Sequence, residues 1–193
     1  MRPGRTLPQF FAENDVAALC YGPDDEPDAL LEDFLYRRLG EGYDALGLLQ
    51  RSVAGARSRN RSVAFELAPP EEWPTIEAVW PPRNQPCSAV LPELAARLAQ
   101  ALDRQPDIVV LNRFGRAECE GKGLLGALAE ALDRDIPVLI ATPVGLYDRW
   151  IKVSCGLAVT LNPQAASLEA WWRALGHGVG DRPGRASFCE QVK

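Results

Sequence analysis

Short apolar runs alternate along this chain with longer segments in which apolar residues recur every three or four positions. Continuous apolar runs such as 16–21, 108–111 and 137–142 are typical of strands buried on both faces of a sheet. The helical period predicts amphipathic helices between the runs. The predicted strands are 16–21, 44–50, 62–67, 75–80, 108–111, 137–142 and 157–161, and the predicted helices are 28–39, 89–102, 124–132, 146–153 and 167–175.

The alternation of strands and helices favours an α/β fold with three layers, in which a mainly parallel sheet has helices on both faces. We expect about five strands in this sheet, with 108–111 and 138–141 near its centre. The strands 62–67 and 75–80 follow each other with prolines nearby. They are therefore expected to form a short antiparallel insertion or sheet-edge ribbon.

Length and composition are those of one folded domain. The chain has 193 residues and a formal net charge of −5, which argues against general nucleic-acid binding. We predict a flexible arm at 1–14, a single α/β domain at 15–175 and a Gly-rich tail at 176–193. Neither a membrane span nor a secretory signal is evident, so a cytoplasmic location is expected. Five widely spaced cysteines and one histidine, His177, predict reduced thiols and no metal site.

In a sheet of this kind ligands lie beyond the carboxyl ends of the strands. The segment 22–28 follows the first strand, where a phosphate-binding loop would supply backbone donors and a lysine. Here it has no lysine, no Ser or Thr, two prolines and the carboxylates Asp24, Asp25, Glu26 and Asp28. These carboxylates either cap the next helix or bind a cation, and they disfavour phosphate.

The loop 112–123 follows the 108–111 strand and contains Gly121-Lys122-Gly123 before the next helix. Glycines, a lysine and a helix start together predict an anion cradle, which Arg113 or Arg51 would also reach. The alternative is a solvated turn of mixed charge, and Glu118 and Glu120 are candidate acid/base groups by position alone.

Four arginines follow the second strand: Arg51, Arg57, Arg59 and Arg61. Such a group either clamps an oxyanion or forms a solvated charged surface.

Three stretches resemble a recurrent pattern of domain-of-unknown-function family 2478 in small bacterial proteins. They are AALCYGPDDEPDALLEDF, VVLNRFGRAECEGKGLLGALAEALDRDIPVLIATP and SLEAWW, and with DALGLLQR the resemblance runs from about 16 to 175. It implies a P-loop-NTPase-like sandwich, similar to the cancer-related nucleoside-triphosphatase type. In that type an acidic pair and Gly-Lys follow the strand matching 108–111, whereas Asn112, Arg113, Gly115 and Arg116 hold those places here. The resemblance also implies, by gene association, a connection to molybdate or molybdenum cofactor.

The leading hypothesis is a non-hydrolysing P-loop-like protein that binds a nucleotide phosphate or a molybdate-type oxyanion. No catalytic residue is assigned. One alternative is a weak nucleoside triphosphatase or phosphotransferase using Glu118 or Glu120. Another is an accessory protein that acts through protein contacts, with a second copy or a partner in molybdenum metabolism, through the acidic loop or the Trp-rich end. The predicted ligand-binding residues are Arg51, Asn112, Arg113, Gly115, Arg116, Gly121 and Lys122.

Overall fold

The computed structural model describes residues 15–52, 62–69, 76–79 and 91–176. Its strands form one sheet in the order β4-β3-β2-β5-β6-β1-β7. The predicted arm at 1–14 and all but the first residue of the tail lie outside the described residues. The strands are β1 (Val16–Tyr21), β2 (Ala45–Ser52), β3 (Ser62–Ala68), β4 (Ile76–Val79), β5 (Ile108–Arg113), β6 (Val138–Pro143) and β7 (Val159–Leu161).

Five of the strands run parallel, because β2, β5, β6, β1 and β7 pair in that order with parallel register. The insertion adds β3 antiparallel to β2 and β4 antiparallel to β3. The prediction of a mainly parallel sheet with a short β insertion is confirmed, and β5 and β6 lie in its middle. Apolar runs form the central strands because both faces of these strands are covered.

Helices cover both faces of the sheet. Leucines and tryptophans of α1 and α6 pack on one face, whereas those of α2, α4 and α5 pack on the other. Among the described elements, the short helix α3 and the 3-10 turn Val144–Leu146 were not predicted from the sequence. The helices are α1 (Pro27–Gly40), α2 (Leu91–Leu102), α3 (Arg116–Cys119), α4 (Leu125–Asp133), α5 (Tyr147–Val153) and α6 (Ala165–Ala174).

The contact between α1 and α6 is aromatic and includes a buried charge. The Phe34 ring meets the Trp172 ring edge-on, with centroids 6.1 Å apart. The Arg38 guanidinium lies 4.9 Å from the centre of the Phe34 ring. It also pairs with Glu169 at 3.0 Å, so the buried charge has a partner on the second helix. This contact holds α1 at a defined position over the sheet.

The positions of the helices show where the connections between the strands reverse direction. α1, which follows β1, lies on one face, whereas α5, which follows β6, lies on the other. β1 and β6 are neighbours, with Tyr21 in register with Pro143. Ligands of open α/β sheets bind in the crevice at such a switch point, outside the carboxyl ends of the strands. A ligand site is therefore expected at the end of β1 and at the neighbouring strand ends.

Among the described helices, none has the length and apolar character needed to cross a membrane.

Candidate functional site at the carboxyl ends of the strands

An arginine and an aspartate meet at the carboxyl edge of the sheet. Arg113, the last residue of β5, donates from Nε to Asp28 Oδ1 at 3.0 Å and from Nη2 to Oδ2 at 2.5 Å. Asp28 belongs to the first turn of α1, which follows β1. This two-bond geometry is the one by which arginine recognises carboxylates and other oxyanions. The Arg113 side chain is 38% exposed and that of Asp28 is 34% exposed, so solvent reaches the pair.

Arg113 reaches Asp28 because β5 contains a bulge. Leu111 is in register with Ile140, but Arg113 and not Asn112 is in register with Ala141. A bulge adds one residue to a strand and can turn the following side chain to the other face of the sheet. Leu111 packs on the α4 face, yet Arg113 points to the α1 face, two residues later. Without the bulge the period of two would keep both side chains on the same face.

An aromatic ring completes the surroundings of the guanidinium. The centre of the Tyr21 ring, at the end of β1, lies 5.5 Å from Arg113 Cζ. Burial raises the pKa of the Tyr21 phenol, and the positive charge of Arg113 opposes that rise. For Arg113, burial works against the charge, but the hydrogen bonds and charge of Asp28 outweigh it and raise the pKa of the guanidinium. Arg113 therefore carries a permanent positive charge at the switch point.

The loop after β1 is closed by its own carboxylate. Gly22 N–H donates to Asp25 Oδ2 at 2.7 Å, so the acceptor is a side chain three residues ahead. Glu26 lies at the N-cap of α1 without a side-chain capping bond, and Pro27 is the first residue of the helix. Capping was one of the two functions predicted for these carboxylates. The structure instead uses Asp25 to close the turn and Asp28 to hold Arg113.

The loop after β5 is closed in the same way, by Glu118. Gly115 N–H donates to Glu118 Oε2 and Leu124 N–H donates to Oε1, each at 3.0 Å. The Glu118 residue is 4% exposed, so its two carboxyl oxygens accept from these backbone donors away from water. Gly121 and Gly123 have φ of +76° and +67°, which lets the chain turn around the carboxylate. The Glu118 carboxylate thus accepts from backbone donors of the loop in which a bound anion was predicted.

The Gly121-Lys122-Gly123 turn does not itself open the next helix. α4 begins two residues later, at Leu125, and Lys122 N–H donates to Ala117 O at 2.9 Å inside the turn. The Lys122 side chain is 75% exposed and lies 3.6 Å from Glu120. That Lys122 and Arg113 contact one ligand stays a prediction.

The other predicted residues lie at separate places along the same edge. Asn112 is buried and donates from Nδ2 to Gln50 Oε1 at 2.7 Å, which links β5 to β2. Arg116 begins α3 and is exposed. The backbone of Arg51 pairs with Ala64 in the antiparallel insertion, and its side chain lies outside the described residues, as do Arg57, Arg59 and Arg61 in full. Their roles in ligand binding stay predictions.

Sequence reasoning missed the residues that contact the Arg113 guanidinium or accept from the backbone N–H groups of the loops. Asp28, Tyr21 and Glu118 were not among the predicted ligand contacts. The available signal was the excess of carboxylates in both loops, because carboxylates beside backbone donors and an arginine can satisfy them internally. The Trp-rich end, suggested as a contact surface, is mostly inside: Trp171 and Trp172 are buried against α1.

The last two residues of β5 carry no carboxylate. Magnesium binds through carboxylates and substrate phosphates, but the end of β5 carries an amide that is bonded to Gln50 and an ion-paired guanidinium. Within the described ranges, no group of three or more His, Cys, Asp or Glu side chains could hold a metal ion. Cys20, Cys119 and Cys155 are free thiols.

The order and direction of the strands define an α/β sandwich of the P-loop-NTPase-like class. Residues 16–171 match the model of a protein family of unknown function, DUF2478, and the chain belongs to that family. It is also 32% identical over 174 residues to the molybdenum import ATP-binding protein ModC 2 of Bradyrhizobium diazoefficiens. That match covers 86% of this chain but 19% of the relative, so the chain spans about a fifth of the relative's length. No solved structure matches the chain.

Proposed function

We propose that this chain is a non-hydrolysing, P-loop-like protein that binds a small oxyanion through Arg113. The observation that carries the proposal is the bidentate pair between Arg113 and Asp28 at the switch point of the sheet. The guanidinium already holds an oxyanion, namely a carboxylate, in the preferred geometry. Because the pair is more than a third exposed on the arginine side, a dissolved anion can approach the same guanidinium.

Triphosphate hydrolysis is disfavoured by the occupied backbone donors. A phosphate-binding loop offers unpaired N–H groups and a lysine to phosphate oxygens. Here Asp25 accepts the Gly22 N–H, and Glu118 accepts those of Gly115 and Leu124. A nucleotide would have to displace buried Glu118 from two hydrogen bonds and leave its charge without partners, which is costly. A small oxyanion at Arg113 requires no such rearrangement.

The ModC 2 relative supports molybdate as the oxyanion. Its name assigns it to molybdenum import, and one fifth of it resembles this chain. Molybdate is a tetrahedral dianion, so it can accept two parallel hydrogen bonds from one guanidinium, as phosphate does. We therefore propose that the chain is a cytoplasmic accessory protein in molybdenum handling. Arg51, Asn112, Gly115, Arg116, Gly121 and Lys122 remain proposed contributors around Arg113.

Titration calorimetry with sodium molybdate at low salt tests the proposal. The unaltered chain should bind, and Arg113→Ala should weaken binding about tenfold or more, because one charge-assisted contact is worth about 1.5–3 kcal/mol. Arg134→Ala is the matched control, since Arg134 is also ion-paired, with Asp103 and Glu130, but lies after α4. If neither molybdate nor phosphate binds the unaltered chain at millimolar concentration, the proposal is wrong.

A second candidate function is an accessory role through protein contacts. Val144 is 59% exposed and Leu157 is 50% exposed, and both are apolar. An open groove of about 360 Å³ lies between β7 and α6, lined in part by Val159, Ala170 and Trp171. Val144 and Leu157 do not line this groove, so the groove itself is the feature that favours a partner surface. Ala170→Asp, in the groove, would abolish a protein contact there and leave molybdate binding at Arg113 unchanged, which separates the two functions.

A further inference from the structure

We propose that Asp28 is a built-in competitor for the oxyanion, so that a ligand binds only by taking its place on Arg113. This inference rests on the proposed function of Arg113. The Asp28 carboxylate accepts from both Nε and Nη2, which are the two donors that a planar or tetrahedral oxyanion would take. The two residues are 85 positions apart in the chain. Their contact is therefore a product of the fold and not of sequence proximity.

Both partners are held in place from their own elements. The bulge between Leu111 and Arg113 directs the arginine to the α1 face. On the other side, Pro27 starts α1 and is buried, which fixes the backbone just before Asp28. The Tyr21 ring lies beside the guanidinium. Arg113 can thus stay where it is while Asp28 is exchanged, because the exchange needs a rotation of the short aspartate side chain alone.

Because Asp28 belongs to the same chain as Arg113, a dissolved ligand must bind the guanidinium more strongly than a carboxylate does in order to replace it. Groups on one folded chain meet at an effective concentration in the millimolar range or above. A dissolved monoanion such as acetate offers Arg113 the same chemistry as Asp28 and has no advantage over it. A tetrahedral dianion carries twice the charge, so its attraction to the guanidinium is about twice as large at equal distance. The class of ligand that this site selects is therefore a small tetrahedral dianion such as molybdate, sulfate or hydrogen phosphate.

A nucleotide is not in this class. Its terminal phosphate could reach Arg113, but three backbone donors of the neighbouring loops, those of Gly22, Gly115 and Leu124, already donate to Asp25 and Glu118. We expect ATP to bind no more tightly than inorganic phosphate. The site thereby contains two carboxylates that accept from donors of the protein itself. Asp28 lies at the surface and can be exchanged for a ligand, whereas Glu118 is buried and stays in place.

The experiment compares the full chain with Asp28→Asn by calorimetry at low salt. Asparagine keeps the shape of aspartate but gives up its charge, so molybdate should bind about tenfold more tightly to the variant, by the size of one charge-assisted contact. Asp33→Asn on the exposed side of α1 is the matched control, and its affinity should equal that of the unaltered chain. Circular dichroism checks folding, and Asp28→Ser, which also suits a helix start, replaces Asp28→Asn if that variant does not fold.

The outcomes separate the two proposals. If the unaltered chain binds molybdate but Asp28→Asn binds it equally or more weakly, Asp28 is not a competitor, although Arg113 still binds the anion. If acetate binds the unaltered chain as tightly as molybdate, the selection for dianions is refuted. If no anion binds either protein, the proposed function itself fails and this inference fails with it.

Discussion

A Cβ atom on Gly123 would overlap Glu118 Oε1, the oxygen that accepts the Leu124 N–H. Gly123 also has φ of +67°, a backbone conformation that other residues adopt at a cost. The glycine and the buried glutamate therefore require each other: the missing side chain makes the space that the carboxylate fills.

Gly123→Ala should destabilise the protein by on the order of 2 kcal/mol or more, because it combines left-handed backbone strain with a clash against a buried carboxylate. Gly126→Ala is the control in the same loop-helix segment. Nothing lies within 4 Å of its added Cβ, and alanine favours the helix by up to about 1 kcal/mol. Urea unfolding of both variants measures the difference. Equal stabilities would contradict the geometry of the Glu118 turn.

Glu118→Ala should lower the free energy of unfolding by about 1–3 kcal/mol for each of the two backbone donors that it leaves without an acceptor, if water does not replace the carboxylate. The control is Glu120→Ala, because that side chain is 54% exposed and its partner Lys122 is more exposed still. The control should change stability by no more than about 0.5 kcal/mol. A harmless Glu118→Ala substitution would show that the carboxylate does not hold the loop.

No magnesium-dependent ATP or GTP turnover above background is expected. The segment 22–28 after β1 has no lysine, and the Gly22, Gly115 and Leu124 N–H groups of the two loops already donate to carboxylates. A phosphate-release assay with and without magnesium measures the rate. Saturable turnover that disappears in Glu118→Gln or Glu120→Gln would support the triphosphatase alternative instead.

Cys20 should react with iodoacetamide more slowly than Cys155 near pH 8. Burial raises the pKa of the Cys20 thiol, so a smaller fraction is thiolate at a given pH, and the thiolate is the reactive form. Cys155 is exposed. The difference between the labelling rates of the two cysteines should become smaller as the pH rises through the raised pKa of Cys20. Mass spectrometry of peptides after timed alkylation gives the rate at each cysteine, and faster labelling of Cys20 would contradict its burial.

The sheet could be predicted because its signals are local. The runs 16–21 and 108–111 are apolar without interruption, and strands of this kind are buried on both faces wherever they occur. The helices also show their period in the sequence, and most predicted ends lie within two residues of the observed ones. The four-residue helix α3 was missed because one turn is too short for a period to appear.

The site was less accessible to sequence reasoning, because its contacts depend on where distant segments meet. Nothing local to Asp28 or Arg113 indicates a partner 85 positions away. The stretch around Glu118 is rich in charge and glycine and has the composition of a surface loop, yet the fold buries that carboxylate. Glycines and a strand end did indicate backbone donors in need of an anion. The anion that accepts them in the structure is part of the same chain.

The extra residue in β5 also determines how this protein can be compared with its relatives. Up to Leu111, each residue of β5 is paired with the next residue of β6 in turn. From Arg113 onward the pairing is shifted by one residue, because Asn112 has no partner of its own in β6. A motif transferred by sequence spacing alone would therefore assign to Asn112 the place in the sheet that Arg113 holds. Removing residue 112 would take out the bulge and place the arginine directly after Leu111, still in register with Ala141 and on the α1 face. A relative that keeps both residues but has no bulge would instead present the asparagine beside α1, and so a different chemistry at this edge.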